Sequence, residues 1–187
     1  MSTCLDIVRR ALRLVAGETG VPEGDEGQDA LDRLQGLILD LPGFFQNGHW
    51  RDRFTSAAYT ACDFDRITVT SPGVVTLPAT VIVDSCTRLP KDLSKAQIIG
   101  GANAGIWLFS AGKGAWGRAD GLTLSGELPF GPEDDEGLAA QLAVALVDEY
   151  GGEVSARTVS KSNQSIASFR ARFKKAEHCE PSFRDYV

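Results

Sequence analysis

Between Thr3 and Ala16 the apolar residues Leu5, Val8, Leu12 and Val15 recur every three or four positions, with Arg9, Arg10 and Arg13 between them. That spacing places one apolar stripe on an α-helix, which Gly17 ends. Residues 18–27 form a turn-rich acidic loop. From Gln28 to Leu41 the pattern returns on Leu31, Leu34, Ile38 and Leu41. This predicts a second helix that stops before Pro42, where a backbone donor is lost. Two helices joined by so short a loop pack most simply as an antiparallel pair.

After Trp50 the period changes. Arg66 to Thr70 alternates with a period of two, and the β-branched runs Val74–Leu77 and Thr80–Val83 are bracketed by Pro and Gly. Gln97–Ile99, Ile106–Phe109 and Leu122–Leu124 continue the series, separated by Gly100-Gly101, Gly112-Lys-Gly114 and Asp120-Gly121. Short strands at such intervals predict a small antiparallel sheet or barrel-like module.

Helical periodicity resumes after Gly131-Pro132 with Leu138, Leu142, Ala145 and Leu146, and Gly151-Gly152 supplies a left-handed cap. A last helix is predicted over Asn163–Glu177, with Ile166, Phe169 and Phe173 on one face. Helices at both ends cannot all bury their stripes against the central strands. The predicted class is therefore α+β: an antiparallel bundle of about four helices with a β-rich antiparallel insertion between the second and third. Its parts are residues 1–53 and 131–179 for the bundle, 54–130 for the insertion and 180–187 for an extended C-terminal tail.

The 187 residues are 43% hydrophobic and 24% charged, the balance of a chain that buries a core. Nineteen Lys and Arg against 25 Asp and Glu leave a net charge of −6, which argues against holding a phosphate backbone by bulk charge. No apolar run reaches the length of a membrane span, and Asp6, Arg9, Arg10 and Arg13 interrupt what would be a signal peptide. Cys4, Cys62, Cys86 and Cys179 form no CxxC pair, so reduced and mostly buried thiols are expected.

Candidate chemistry is sparse. His49 and His178 are the only histidines, and His178-Cys179 has no second pair to complete a metal site. There is no GxSxG elbow, and Gly112-Lys113 is followed by Gly114 where a phosphate-binding loop needs Ser or Thr. Gly100 to Gly105 lacks dinucleotide-loop spacing and leads into another strand, so it reads as a hairpin turn. Glu133, Asp134, Asp135 and Glu136 precede a helix, where acids complement the dipole. No catalytic, cofactor or metal residue is assigned.

Two charge blocks stand out. Glu18 to Asp32 holds six acids and no base, and Ser155 to Lys175 holds six bases and no acid. Opposite blocks on one chain suit a contact between copies, so Glu23, Asp25 and Glu26 are expected to face Arg157 and Lys161 of a neighbouring subunit. The alternative is that the blocks pair within one subunit.

The segments Ala11-Leu-Arg-Leu-Val15, Gly17-Glu-Thr19 and Asp29-Ala-Leu-Asp-Arg-Leu34 resemble the N-terminus of tailed-phage head-to-tail adaptors, of the tail-accessory or packaged-DNA-stabilisation type. Gly101-Ala-Asn-Ala-Gly105, Ala119-Asp-Gly-Leu-Thr-Leu124, Pro129-Phe-Gly-Pro-Glu-Asp-Asp-Glu-Gly-Leu-Ala139 and Glu149-Tyr-Gly151 are similar to its later parts. The resemblance spans most of the chain and rests on order and spacing. It implies helices around a β-rich insertion, and a non-enzymatic homo-oligomeric ring, commonly of twelve subunits. Such a ring sits below the portal protein, extends the DNA channel and docks a tail or stopper protein. Packaged DNA would pass without sequence-specific binding, with no membrane involved, in a virion assembled in the host cytoplasm. The C-terminal segment in such adaptors reaches the portal, which nominates Arg170, Arg172, Lys174, Lys175, Phe183 and Tyr186 for that joint. The alternative function is a peptidoglycan hydrolase working through two carboxylates during phage entry.

Overall fold

The computed structural model describes residues 2–15, 25–45, 66–70, 77, 81–83, 86–90 and 92–175. Among the described residues there are four helices: α1 (Cys4–Leu14), α2 (Glu26–Phe45), α3 (Asp135–Tyr150) and α4 (Ala156–Lys175). Between α2 and α3 the described residues form six strands: β1 (Arg66–Thr70), β2 (Val81–Val83), β3 (Cys86–Arg88), β4 (Lys95–Ile99), β5 (Gly105–Ser110) and β6 (Ala115–Arg118). The class is α+β with the strands inserted between the second and third helices, as the periodicity predicts.

Local chemistry sets the helix starts. Thr3 caps α1 in a capping box: the Asp6 amide donates to Thr3 Oγ1 at 3.3 Å while the Thr3 amide donates to Asp6 Oδ2 at 2.9 Å. The next two free amides of α1, on Cys4 and Leu5, donate to the carbonyls of Gly126 and Leu124, both at 2.9 Å. The segment leaving the sheet thus satisfies the helix end. This is why Leu122–Leu124, expected as a strand, is none: its Leu124 carbonyl serves α1, and the Leu122 amide donates to Gln35 Oε1 at 3.0 Å.

α2 runs past Pro42 to Phe45 instead of stopping before it. Proline withholds one hydrogen bond there, and the buried stripe Leu31, Leu34, Ile38 and Leu41 is already anchored in the core. α4 begins seven residues ahead of the apolar pattern. Ser155 caps it, accepting the Thr158 amide at 3.2 Å, and its first turns bury Thr158 and Ser162 where the pattern demanded apolar residues. α3 ends as expected on Gly151, with φ 71°.

The main sheet has the order β1-β4-β5-β6. β4, β5 and β6 are antiparallel neighbours, with Gln97 opposite Ile106 and Phe109 opposite Trp116. Gly100 and Gly101, at φ 80° and 78°, turn the chain between β4 and β5, so this glycine-rich stretch is the hairpin turn expected of it. β1 joins β4 in parallel, Arg66 opposite Lys95. Parallel neighbours need a long crossover, and the connection here carries the separate antiparallel pair β2 and β3. β3 and β6 have no counterpart in the apolar pattern. Val74–Val75–Thr76 and residues 180–187 lie outside the described residues.

The core is continuous between bundle and insertion. Ile7, Leu12, Leu34, Leu138, Leu142 and Phe169 from the helices form one cluster with Leu93, Leu108, Leu128 and Phe130 from the inserted segment. α3 packs between α1 and α4, and α2 packs on α1 and α3.

Candidate functional site

α1, α3 and α4 leave an open groove of about 530 Å³ on their outer surface. Its floor is apolar: Ala139 and Ala140 are buried on α3, and Leu14 stands half-exposed at the end of α1. The rim carries four cations. Arg10 and Arg13 lie three residues apart on α1, and Arg157 and Lys161 lie four apart at the start of α4. Those spacings put each pair on one side of its helix.

Only one carboxylate among the described residues lines this groove, that of Glu136 on α3. Lys161 Nζ donates to Glu136 Oε2. That hydrogen bond, then the Lys161 charge and those of Arg10 and Arg157, hold the Glu136 carboxyl below its ordinary value. Asp135, buried behind the rim, accepts the Ser2 hydroxyl and lies 3.8 Å from Arg10 Nη1. Positive charge remains in excess. Arg157 sits in the first turn of α4, which has no acidic residue, so it adds to the positive end of that helix dipole. The arrangement can hold an anionic surface; its hydroxyls are occupied, Ser155 Oγ lying 2.9 Å from Thr158 Oγ1.

A second cluster joins the insertion to the helices. The Arg172 guanidinium on α4 reaches Asp134 Oδ1 at 2.7 Å and Oδ2 at 3.3 Å, and its Nε lies 2.7 Å from Asp92 Oδ2. The Nε approach is ionic: its N–H is not aligned for a hydrogen bond. The guanidinium also covers the Phe169 ring at 4.7 Å, and Phe169 packs on Phe130 with centroids 5.6 Å apart. Burial pushes the Asp134 carboxyl up, against the downward pull of Arg172. Burial would depress Arg172, but the hydrogen bond and charge of Asp134, with Asp92, raise it.

Arg172 is thus bound inside its own subunit, part-buried against two carboxylates. Arg170 is exposed on α4, Lys174 and Lys175 occupy its last turn, and Phe183 and Tyr186 lie outside the described residues. Of the residues expected at a subunit contact, Arg157 and Lys161 share the groove and Glu23 lies outside the described residues. Asp25 is exposed before α2, its carbonyl accepting the amides of Gln28 and Asp29 at 2.9 and 3.0 Å, and Glu26 opens that helix. The acidic run at 133–136 divides: Asp134, Asp135 and Glu136 reach Arg172, Arg10 and Lys161, so these acids bridge elements as well as start a helix.

Sequence reasoning did not place Arg10 and Arg13 at this site. A visible signal existed, since the polar face of α1 sets three arginines against Asp6 alone. Asp92 carried no such signal; only folding brings it to Arg172. Among the described residues there is no group of His, Cys, Asp and Glu able to hold a metal, and no helix long and apolar enough to cross a membrane. No protein-family model matches the chain, and no curated protein matches it.

Proposed function

We propose that this chain is a structural head-to-tail adaptor of a tailed bacteriophage, a non-enzymatic subunit of a ring, commonly twelve-membered, below the portal. The ring prolongs the DNA channel and offers the surface on which the tail or stopper docks. One observation carries the reading: two of the segments that resemble such adaptors sew the insertion to the helices. Residues 119–124 lead into the carbonyls that complete the start of α1, and Pro129 to Ala139 supplies Phe130 and Asp134 to the Phe169–Arg172 joint. A ring subunit must transmit load as one wedge, and these contacts make one core of two parts.

The net charge of −6 fits a channel wall. A wall that neutralised many phosphates would grip the genome in a salt-dependent way, whereas an acidic or mixed wall lets it slide. The C-terminal segment is the proposed reach to the portal.

Purified chain added to DNA-filled, tail-less heads should bind at the portal vertex, retain the genome and restore tail joining. Failure to co-sediment with heads or isolated portal would refute the adaptor. So would clearing of peptidoglycan in a zymogram that a single Asp or Glu substitution abolishes. A chain ending at Cys179 should fold but no longer join heads; attachment at wild-type affinity would show that the tail is not the anchor.

A further inference from the structure

We propose that the cationic groove of α1, α3 and α4 is the seat for the acidic face of α2 from a second copy of this chain. The occupant rests on the ring proposed above, and its chemistry comes from two described surfaces.

The groove holds unspent positive charge. Arg10, Arg13, Arg157 and Lys161 crowd the N-terminal end of α4; Glu136 is the carboxylate of the described lining, Asp135 lies 3.8 Å from Arg10 behind it, and the four cations still outnumber these two acids. Arg157 in a first helical turn opposes the local preference for acids there. A local conflict of this kind marks a surface selected for something other than the stability of the isolated subunit. The shape favours a protein face over a phosphate. A compact phosphate is held by converging backbone amides, and the Thr158 amide is already taken by Ser155. Here an apolar floor lies beneath long cationic arms, which suits a helix carrying carboxylates.

α2 presents that face. Asp25, Asp29, Asp32 and Asp40 are exposed. Their spacing, with Gly36 between the last two, follows one side of a helix. A side chain added at Gly36 would meet nothing within 4 Å, so the stripe is open where a partner would approach. Groove and stripe belong to different elements, the condition for a head-to-tail contact that closes into a ring.

Charge reversal tests this with the full chain. The groove variant Arg13→Glu/Arg157→Glu and the stripe variant Asp29→Lys/Asp32→Lys should each lower the association constant for self-assembly, by about tenfold or more at 0.1 M salt, with normal monomer circular dichroism. Mixed together they should assemble again, because each groove then meets a stripe of opposite sign, giving a ring in which the two alternate. Sedimentation velocity and native mass spectrometry, with and without portal, read both results. Wild-type assembly by either variant alone, or no recovery on mixing, would overturn the groove and leave the adaptor standing. Recovery on mixing with rings that ignore the portal would uphold the groove and remove the adaptor. A wild type monomeric under both conditions would remove both. If the groove variant assembled normally but lost affinity for inorganic polyphosphate, the groove would belong to that ligand instead and the proposed contact between copies would be overturned.

Discussion

Arg172, near the end of α4, grips Asp134 at the start of α3 through contacts of 2.7 and 3.3 Å, across 38 positions of sequence. The same guanidinium reaches Asp92 of the inserted segment at 2.7 Å. Asp134 occupies the N-cap position of α3 yet makes no capping hydrogen bond, because its carboxylate is turned to Arg172. The helix gives up a local cap to fasten three segments.

Removing that cation leaves two carboxylates without their partner, their side chains only 9% and 13% exposed. Arg172→Ala should therefore destabilise the fold by about 3 kcal/mol in chemical denaturation. Arg172→Lys should recover only part of this, since an ammonium cannot match both Asp134 oxygens at once. Full stability in the alanine variant would disprove the joint.

The capping box makes a pH-dependent contribution. Thr3→Ala should cost about 1 kcal/mol. The amide and hydroxyl of Thr3, which donate to Asp6, hold its carboxyl below the ordinary value. A depressed carboxyl adds stability that is present above the ordinary carboxylate pKa and is lost as pH falls through the lowered one. The stability gap between wild type and Asp6→Asn should thus be full at pH 7 and close toward pH 2, as followed by melting at each pH.

Two glycines should respond in opposite directions. At Gly117 a Cβ would lie 2.5 Å from the Pro129 Cα, a backbone atom that cannot swing aside. Gly117→Ala should lower the melting temperature by several degrees, about 1–3 kcal/mol of overpacking. Gly36→Ala, in open space within α2, should raise stability by about 0.5–1 kcal/mol.

Cys4 is fully buried, and burial pushes its thiol up to about 11. The thiolate is the reactive form, so iodoacetamide at pH 8 should leave Cys4 unmodified in the native protein and alkylate it in denaturant. Peptide mass mapping distinguishes it from the other three cysteines. Rapid native labelling of Cys4 would contradict the packing of α1.

Much of this architecture is written in short-range patterns. The stripes Val8–Leu12–Val15 and Leu31–Leu34–Ile38–Leu41 place α1 and α2, the cap glycine Gly151 closes α3, and the β-branched run Arg66–Thr70 becomes β1 residue for residue. These signals need only neighbours within a few positions, and periodicity carries them in full. The two charge blocks are legible in sequence as well, although the groove that Arg157 and Lys161 share with Arg10 and Arg13 is not.

Other features depend on who meets whom after folding. The start of α4 escapes an apolar pattern because its inner face is Thr158, Ser162 and Ser165, the last bonded to Gln141 Nε2 at 2.8 Å. Leu122 to Leu124 has strand composition but serves α1 and α2 with its backbone, and β1 pairs in parallel because a long connection allows it. Arg172, which the resemblance nominates for the portal joint, is instead held inside the subunit by Asp92 and Asp134. Sequence by itself determined where helices and strands are favoured, since propensity and periodicity act locally. Tertiary structure alone decided which charges are spent inside the subunit and which remain in the groove, because ion pairing falls off over a few ångströms and those distances exist only once the chain has closed on itself.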